Sequence, residues 1–280
     1  MLFELIDHAR YFYHLSGTED ERAAKVIFLH GSGGDSSVWQ YQLPWYGCHK
    51  LFVPDLPGHG RSEGTAYETP EPYAQWLDRF AVATGCLSFV LVGFSLGGLI
   101  AQVYARDFPE KVQGLVLMST GMQVPIAPAF LQLIREDFQR AAQASCDRAY
   151  LLGDAAEPYR EGLRMLVHNG PEVFYKDITL CQRFDSTSWV HRITCPVLVM
   201  CGSHDTITPP ELSQELSKKL PSAKLRVVPQ AAHMVMQEQP EQFRSAVTDF
   251  VWQLTLRAIR QATTGCVPDD GSITRHRGLS

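Results

Sequence analysis

A chain of 280 residues with 45% hydrophobic and 20% charged side chains can bury roughly 75% of its unfolded surface and needs no disulfides for a core. Its formal net charge of −5 lacks the cationic surplus that binding a phosphate backbone requires, so nucleic acid is excluded as an expected partner. Seven cysteines, an odd number with no C-x-x-C pair, read as reduced thiols of a cytoplasmic protein.

In chain order, the alternation of residues 2 to 15 predicts a short β-hairpin. Glu4, Asp7, His8 and Arg10 interrupt it too often for a signal peptide, and no apolar run reaches the ~20 residues of a membrane helix. Membrane association is therefore not expected. Short runs rich in Val, Leu and Ile follow at 25–31, 50–55, 89–94, 112–119, 196–202 and 224–230, as expected of strands covered on both faces. Helix-like stretches at 72–85, 96–109, 210–221 and 240–259 lie among them. This alternation predicts an α/β fold, a mainly parallel sheet with helices on both faces and its functional loops at the carboxyl ends of the strands.

Between 122 and 190 the alternation stops, and helical patterns run without a strand. Phe130, Ile134 and Phe138 share one helical face at i, i+4 and i+8, followed by PYREGLRMLVHNG and PEVFYKDITLCQRFD. An insert between two strands emerges at the carboxyl edge and covers whatever lies there. The expected organisation is a core over 1–121 and 191–262, a helical cap over 122–190, and an extension over 263–280 that is rich in turn formers.

Gly93-Phe94-Ser95-Leu96-Gly97 fits G-x-S-x-G at the end of one strand and the start of one helix. A serine on such a turn exposes its hydroxyl, and the N–H of Leu96 points into the same space. A hydroxyl is a weak nucleophile alone, so a histidine base and an orienting acid must follow in chain order. His168 and His191 fall in the insert, His204 sits beside a candidate acid and His276 lies in the tail, which leaves His233 after the strand at 224–230; Asp205 ends the strand before it, in VLVMCGSHD.

These motifs, with FLHGSGGDSSVW, VPDLPGHGRS, MCGSHDTITPP and PQAAHMVMQEQPEQF, resemble the α/β-hydrolase fold family over nearly the whole chain. The resemblance implies a nucleophile at Ser95, an acid at Asp205, a base at His233 and an oxyanion hole from the amides of Leu96 and Ser32, with Gly33 as the alternative to Ser32. His30, Asp55, Gly58, His59, Gly60 and Arg61 are implied as loop architecture. The side chains expected to bind an acyl group are Phe94, Met122, Phe130, Ile134, Phe138 and Met234, with Leu166, Phe174 and Tyr175 in the same roof.

The expected function is a serine carboxylesterase acting on a small or medium acyl ester with water, through an acyl-enzyme. Neither a cofactor nor a metal is expected: no His or Cys pair stands at ligand spacing near the site, and HGSGGDSS lacks the dinucleotide glycine spacing. A serine at the elbow argues against haloalkane dehalogenases and epoxide hydrolases, whose relatives carry aspartate there. The alternatives are a lactonase, a thioesterase, a hydrolase of peptides with a free amino-terminal residue, a carbon–carbon bond hydrolase, a perhydrolase side activity, and a small-molecule receptor of the same fold. The carbon–carbon hydrolases tend to carry Asn where this chain has Phe94. A homodimer is compatible with the sequence.

Overall fold

The computed structural model describes residues 2–20, 23–44 and 49–264, with side chains through 257. Leu2–Ile6 (β1) and Ala9–Gly17 (β2) form the predicted hairpin. It turns through Asp7 and His8 at φ 50° and 69°, the left-handed backbone that two-residue hairpin turns demand. Ala24–Leu29 (β3), His49–Pro54 (β4), Phe89–Phe94 (β5), Val112–Met118 (β6), Val197–Gly202 (β7) and Ala223–Val228 (β8) complete an eight-stranded sheet in the order β1-β2-β4-β3-β5-β6-β7-β8. Only the pairings made by β2 are antiparallel; the other five run parallel.

Strand order reverses beside β3: the chain moves out to β4, then returns across β3 to β5. Such a switch point opens a crevice at the carboxyl ends of the two strands. Pro70–Ala83 (α1), Leu96–Asp107 (α2) and Pro210–Lys219 (α6, numbered in chain order) cover one face of the sheet. Pro240–Thr264 (α8) covers the other through Phe243, Val247 and Val251, all fully buried. Every residue of β5 and β7 is buried as a result, and each large apolar side chain so enclosed contributes ~1.5–3 kcal/mol. In β8 the expectation of two covered faces fails: Leu225 and Val227 are 38% and 39% exposed. The strand sits at the edge of the sheet and, among the described residues, pairs only with β7.

Between β6 and β7 lie Pro128–Glu136 (α3), Phe138–Ala149 (α4) and Glu157–Arg183 (α5), with no strand among them. The single helical face expected through Phe130, Ile134 and Phe138 is divided at Asp137. Its backbone leaves the helix at φ −149°, ψ 81°, and its carboxylate caps α4 by accepting the N–H of Arg140. α5 kinks at Gly170 (φ 83°, ψ 173°), after which Pro171 opens its second half. A short helix, Val235–Glu238 (α7), precedes α8. Beyond residue 264, the expected extension, like Cys48 and Cys266, lies outside the described residues. No helix among those described is long and apolar enough to cross a membrane.

Candidate active site

Ser95 follows β5 directly, at φ 53° and ψ −116°. A non-glycine residue held there stores ~1–3 kcal/mol of strain, which persists only where its surroundings over-determine it. They do so here: the Ser95 N–H donates to the carbonyl of Met118 on β6 at 2.9 Å, and its own carbonyl accepts the N–H of Gly98. The packing also excludes larger side chains. A Cβ on Gly97 would sit 2.5 Å from the carbonyl oxygen of Leu29, and one on Gly93 would sit 2.4 Å from that of Gly97. The side chain of Leu96 is buried on the α1–α2 face, and its N–H is one of the helix-start donors that have no acceptor within the helix.

The next two predicted residues are brought together at the ends of β7 and β8. His233 Nδ1 lies 2.8 Å from Asp205 Oδ2. Asp205 Oδ1 accepts the N–H groups of Ile207 and Thr208, both at 2.9 Å, and Oδ2 accepts the Thr208 hydroxyl at 2.8 Å. Burial alone would raise this carboxyl's pKa, but the charge and hydrogen bond of His233 and the donors from Thr208 outweigh it. Asp205 is held below the ordinary carboxylate value. The Ser119 hydroxyl donates to the His233 carbonyl at 2.9 Å, fixing the backbone as well as the ring. His204, adjacent to Asp205, is exposed and paired instead with Ser203. Ser95 and His233 line the same cavity, and the Ser95 hydroxyl makes no hydrogen bond among the described residues.

The loop after β3 completes this edge. His30 is wholly buried: Nε2 accepts the N–H of Leu56 at 3.0 Å, and Nδ1 faces the carbonyl of Gly31 at 2.9 Å. Burial, then the neighbouring charge of His59, holds its pKa well below the ordinary value, so it is a neutral strut. Of the two amides expected as alternatives, that of Gly33 is already engaged. It donates to Asp177 Oδ2 on α5 at 2.7 Å, and Gly33 is absent from the cavity wall. The Ser32 N–H has no acceptor among the described residues, and Ser32 lines the cavity.

That cavity, about 260 Å³, lies between the carboxyl edge of the sheet and α3, α4 and α5. Phe94, Phe130 and Met234 line it as expected, with Leu166 and Phe174. Met122, Ile134, Phe138 and Tyr175 do not. Met122 is buried against the α2 side, and Ile134 in the packing among the inserted helices. Phe138 packs its ring edge-on against the wall residue Phe174, and Tyr175 lies under the Arg135 guanidinium. Residues missed by the sequence reading include Val124, Ile126, Tyr150, Met165, Ile178 and Ile207; the only signal for Ile207 was its position two residues after Asp205. Arg148 also reaches the wall, its guanidinium bonded to the Thr206 carbonyl. Cys146 and Cys181 line the same space, but burial pushes both thiols up to about 12, which leaves them protonated and unreactive. Among the described residues, no group of three or more His, Cys, Asp or Glu side chains could hold a metal ion.

Residues 26–246 match the Alpha/beta hydrolase family, and the chain belongs to that family. Similar proteins include the pimeloyl-acyl-carrier protein methyl ester esterase of Edwardsiella ictaluri, 26% identical over 255 residues that span 85% of this chain and 96% of that one. Its counterpart in Sodalis glossinidius is 28% identical over 256 residues, with the same coverage. Among solved structures, a thermophilic esterase aligns at a TM-score of 0.81 and 28% identity, covering 90% of this chain and 97% of that one. The enol-lactonase from Burkholderia xenovorans shares the fold at a TM-score of 0.82 and 21% identity, covering 89% and 99%.

Proposed function

We propose that this chain is a serine hydrolase of small or medium carboxylic esters, with Ser95 as nucleophile, His233 as base and Asp205 as the acid that orients it. One observation carries the reading: a serine in strained backbone opens into an apolar cavity beside an imidazole whose Nδ1 is held at 2.8 Å by a buried carboxylate. With Nδ1–H donated to Asp205, Nε2 is left free to take the Ser95 proton as Oγ attacks the ester carbonyl. The serine–imidazole contact of such sites tightens in the substrate complex. The oxyanion is received by the amides of Leu96 and Ser32, the alcohol leaves with the proton from His233, and water activated by the same imidazole releases the acid.

The apolar wall suits an acyl chain without charge, and relatives named as methyl ester esterases support a carboxylic ester as the scissile group. In this reading residues 122–190 act as a cap, and the unpaired thiols of Cys86, Cys146, Cys181, Cys195 and Cys201 suit the cytoplasm. The test pairs p-nitrophenyl ester hydrolysis with phosphonate labelling. Turnover together with one phosphonyl group on Ser95, located by peptide mass spectrometry, supports the reading. A folded chain that hydrolyses no ester from acetyl to octanoyl overturns it.

A further inference from the structure

Asp177 and His59 stand outside the Ser95, His233 and Asp205 set, yet their bonds end on the loop beside Ser95. Both side chains are fully buried, and they come from opposite parts of the molecule: His59 follows β4, whereas Asp177 lies on the second half of α5. Asp177 Oδ2 is 2.9 Å from His59 Nε2 and 2.7 Å from the Gly33 nitrogen. His59 Nδ1 faces the Pro57 carbonyl oxygen at 3.0 Å, and that atom can only accept, so Nδ1 carries a proton. Nε2 and the carboxylate then share the remaining proton. An ionised Asp177 opposite an imidazolium is a charge-assisted acceptor for the Gly33 amide, stronger than a neutral one.

The first half of α5 grips the same loop. Asn169 Nδ2 donates to the carbonyls of Gly33 and Gly34 at 3.0 and 3.2 Å, and its Oδ1 accepts the N–H of Gly60 at 2.7 Å. Both peptide groups of Gly33, at φ 60°, are therefore held by one helix. The fit leaves no slack: a Cβ on Gly33 would meet Leu166 at 2.5 Å and Phe174 at 2.8 Å. An ion pair serving only to fasten α5 would end on His59. This carboxylate oxygen is shared instead with the amide next to that of Ser32, a residue of the cavity wall.

We propose that Asp177, paired with His59, is a positioning residue for ester hydrolysis: it holds the Gly33 N–H away from the ester so that the Ser32 N–H receives the oxyanion. This rests on the Ser95 reading above. The oxyanion hole is then assembled only while α5 is seated on the core.

Two measurements on the full chain test it. In ¹⁵N-labelled wild type, an alkyl boronic acid bonded to Ser95 places an oxygen where the oxyanion forms. The Ser32 and Leu96 amides should move downfield while that of Gly33 stays in place; movement of Gly33 with Ser32 unmoved overturns the proposal. Second, Asp177→Asn is compared with wild type per site titrated by phosphonate. Loss of an oxyanion donor should lower kcat by ~10²-fold and weaken boronic acid binding in step, with KM within about threefold. A folded variant with kcat per titrated site and boronic acid affinity both within about threefold of wild type shows a merely structural pair and sinks the proposal. If the variant does not fold, the wild-type spectra decide alone. Wild type that takes neither phosphonate nor boronic acid at Ser95 overturns the parent reading, and this one with it.

Discussion

The carbonyl oxygen of Ala149, the last residue of α4, accepts the backbone N–H of His233 at 3.0 Å. The Met234 N–H reaches the same oxygen at 3.3 Å. The loop that carries the imidazole therefore hangs from the inserted helices as well as from β8. Glu238 reinforces the joint by accepting the N–H of Leu151 at 2.6 Å and that of Ala232 at 2.7 Å. Glu238→Ala leaves both amides without their charged acceptor and should cost about 1–3 kcal/mol in urea unfolding. It should also lower kcat, because His233 loses part of its support; unchanged stability would show that water replaces the carboxylate without loss.

Ser95→Ala should lower kcat by about 10⁶ and Asp205→Asn by about 10⁴, the latter because an amide stabilises the wrong imidazole tautomer. His204→Ala is the internal control, since its exposed ring bonds to Ser203 alone among the described residues. Steady-state kinetics on one p-nitrophenyl ester compares all three. A larger loss at His204 than at Asp205 would reverse the assignment of the acid.

A cavity of about 260 Å³ walled by Phe130, Phe174, Leu166 and Met234 rewards an acyl chain that fills it, at ~25 cal/mol per Å² of apolar surface buried. kcat/KM across acetyl, butyryl, octanoyl and palmitoyl esters should peak at short or medium length. Phe130→Ala, at a half-buried position whose ring meets Phe174 edge-on, should move that peak to longer chains. A steady rise to palmitoyl in wild type, with activation at an oil–water interface, would mark a lipase.

The residues legible in the sequence are those whose neighbours in the chain dictate their geometry. Ser95 is announced by its flanking glycines, and Asp205 and His233 by their places in the loops that follow the runs at 196–202 and 224–230. Which inserted side chains face the cavity was not legible. Periodicity placed Phe138 with Phe130, but Asp137 ended the helix between them because its carboxylate captures an amide of the next turn. Nor does any local pattern mark Asp177, whose partners His59 and Gly33 lie 118 and 144 residues away. The exposure of β8 follows from its place at the edge of the sheet, which a strand's own composition does not encode.

The His59–Asp177 pair also predicts a pH dependence of folding. Burial pushes the His59 pKa down, but the charge and hydrogen bond of Asp177, with the Pro57 carbonyl, push it up and prevail; the folded value lies above the ordinary 6.5. A base raised in the fold contributes stability that is complete below its unfolded pKa and is lost as pH rises through the folded one. The stability of wild type relative to the double variant His59→Gln, Asp177→Asn should therefore be greatest near pH 6 and shrink toward pH 9, read from urea midpoints. A gap that widens with pH would mean that the imidazole is neutral in the fold.

Bonds from α4 and α5 reach the His233 loop and the Gly33 loop, while α3 contributes Phe130 to the cavity wall and, among the described residues, no hydrogen bond to either loop. This division bears on how the enzyme could be re-engineered or could diverge. A wholesale graft of another protein's helices in place of residues 122–190 would discard the acceptors for the amides of the His233 and Gly33 loops, and on the proposed reading the hybrid should lose ester hydrolysis even where it folds. Point changes along α3 carry no such penalty. Substrate preference can therefore be altered most freely along α3, whereas on α4 and α5 the wall residues share a helix with the groups that hold the core's loops.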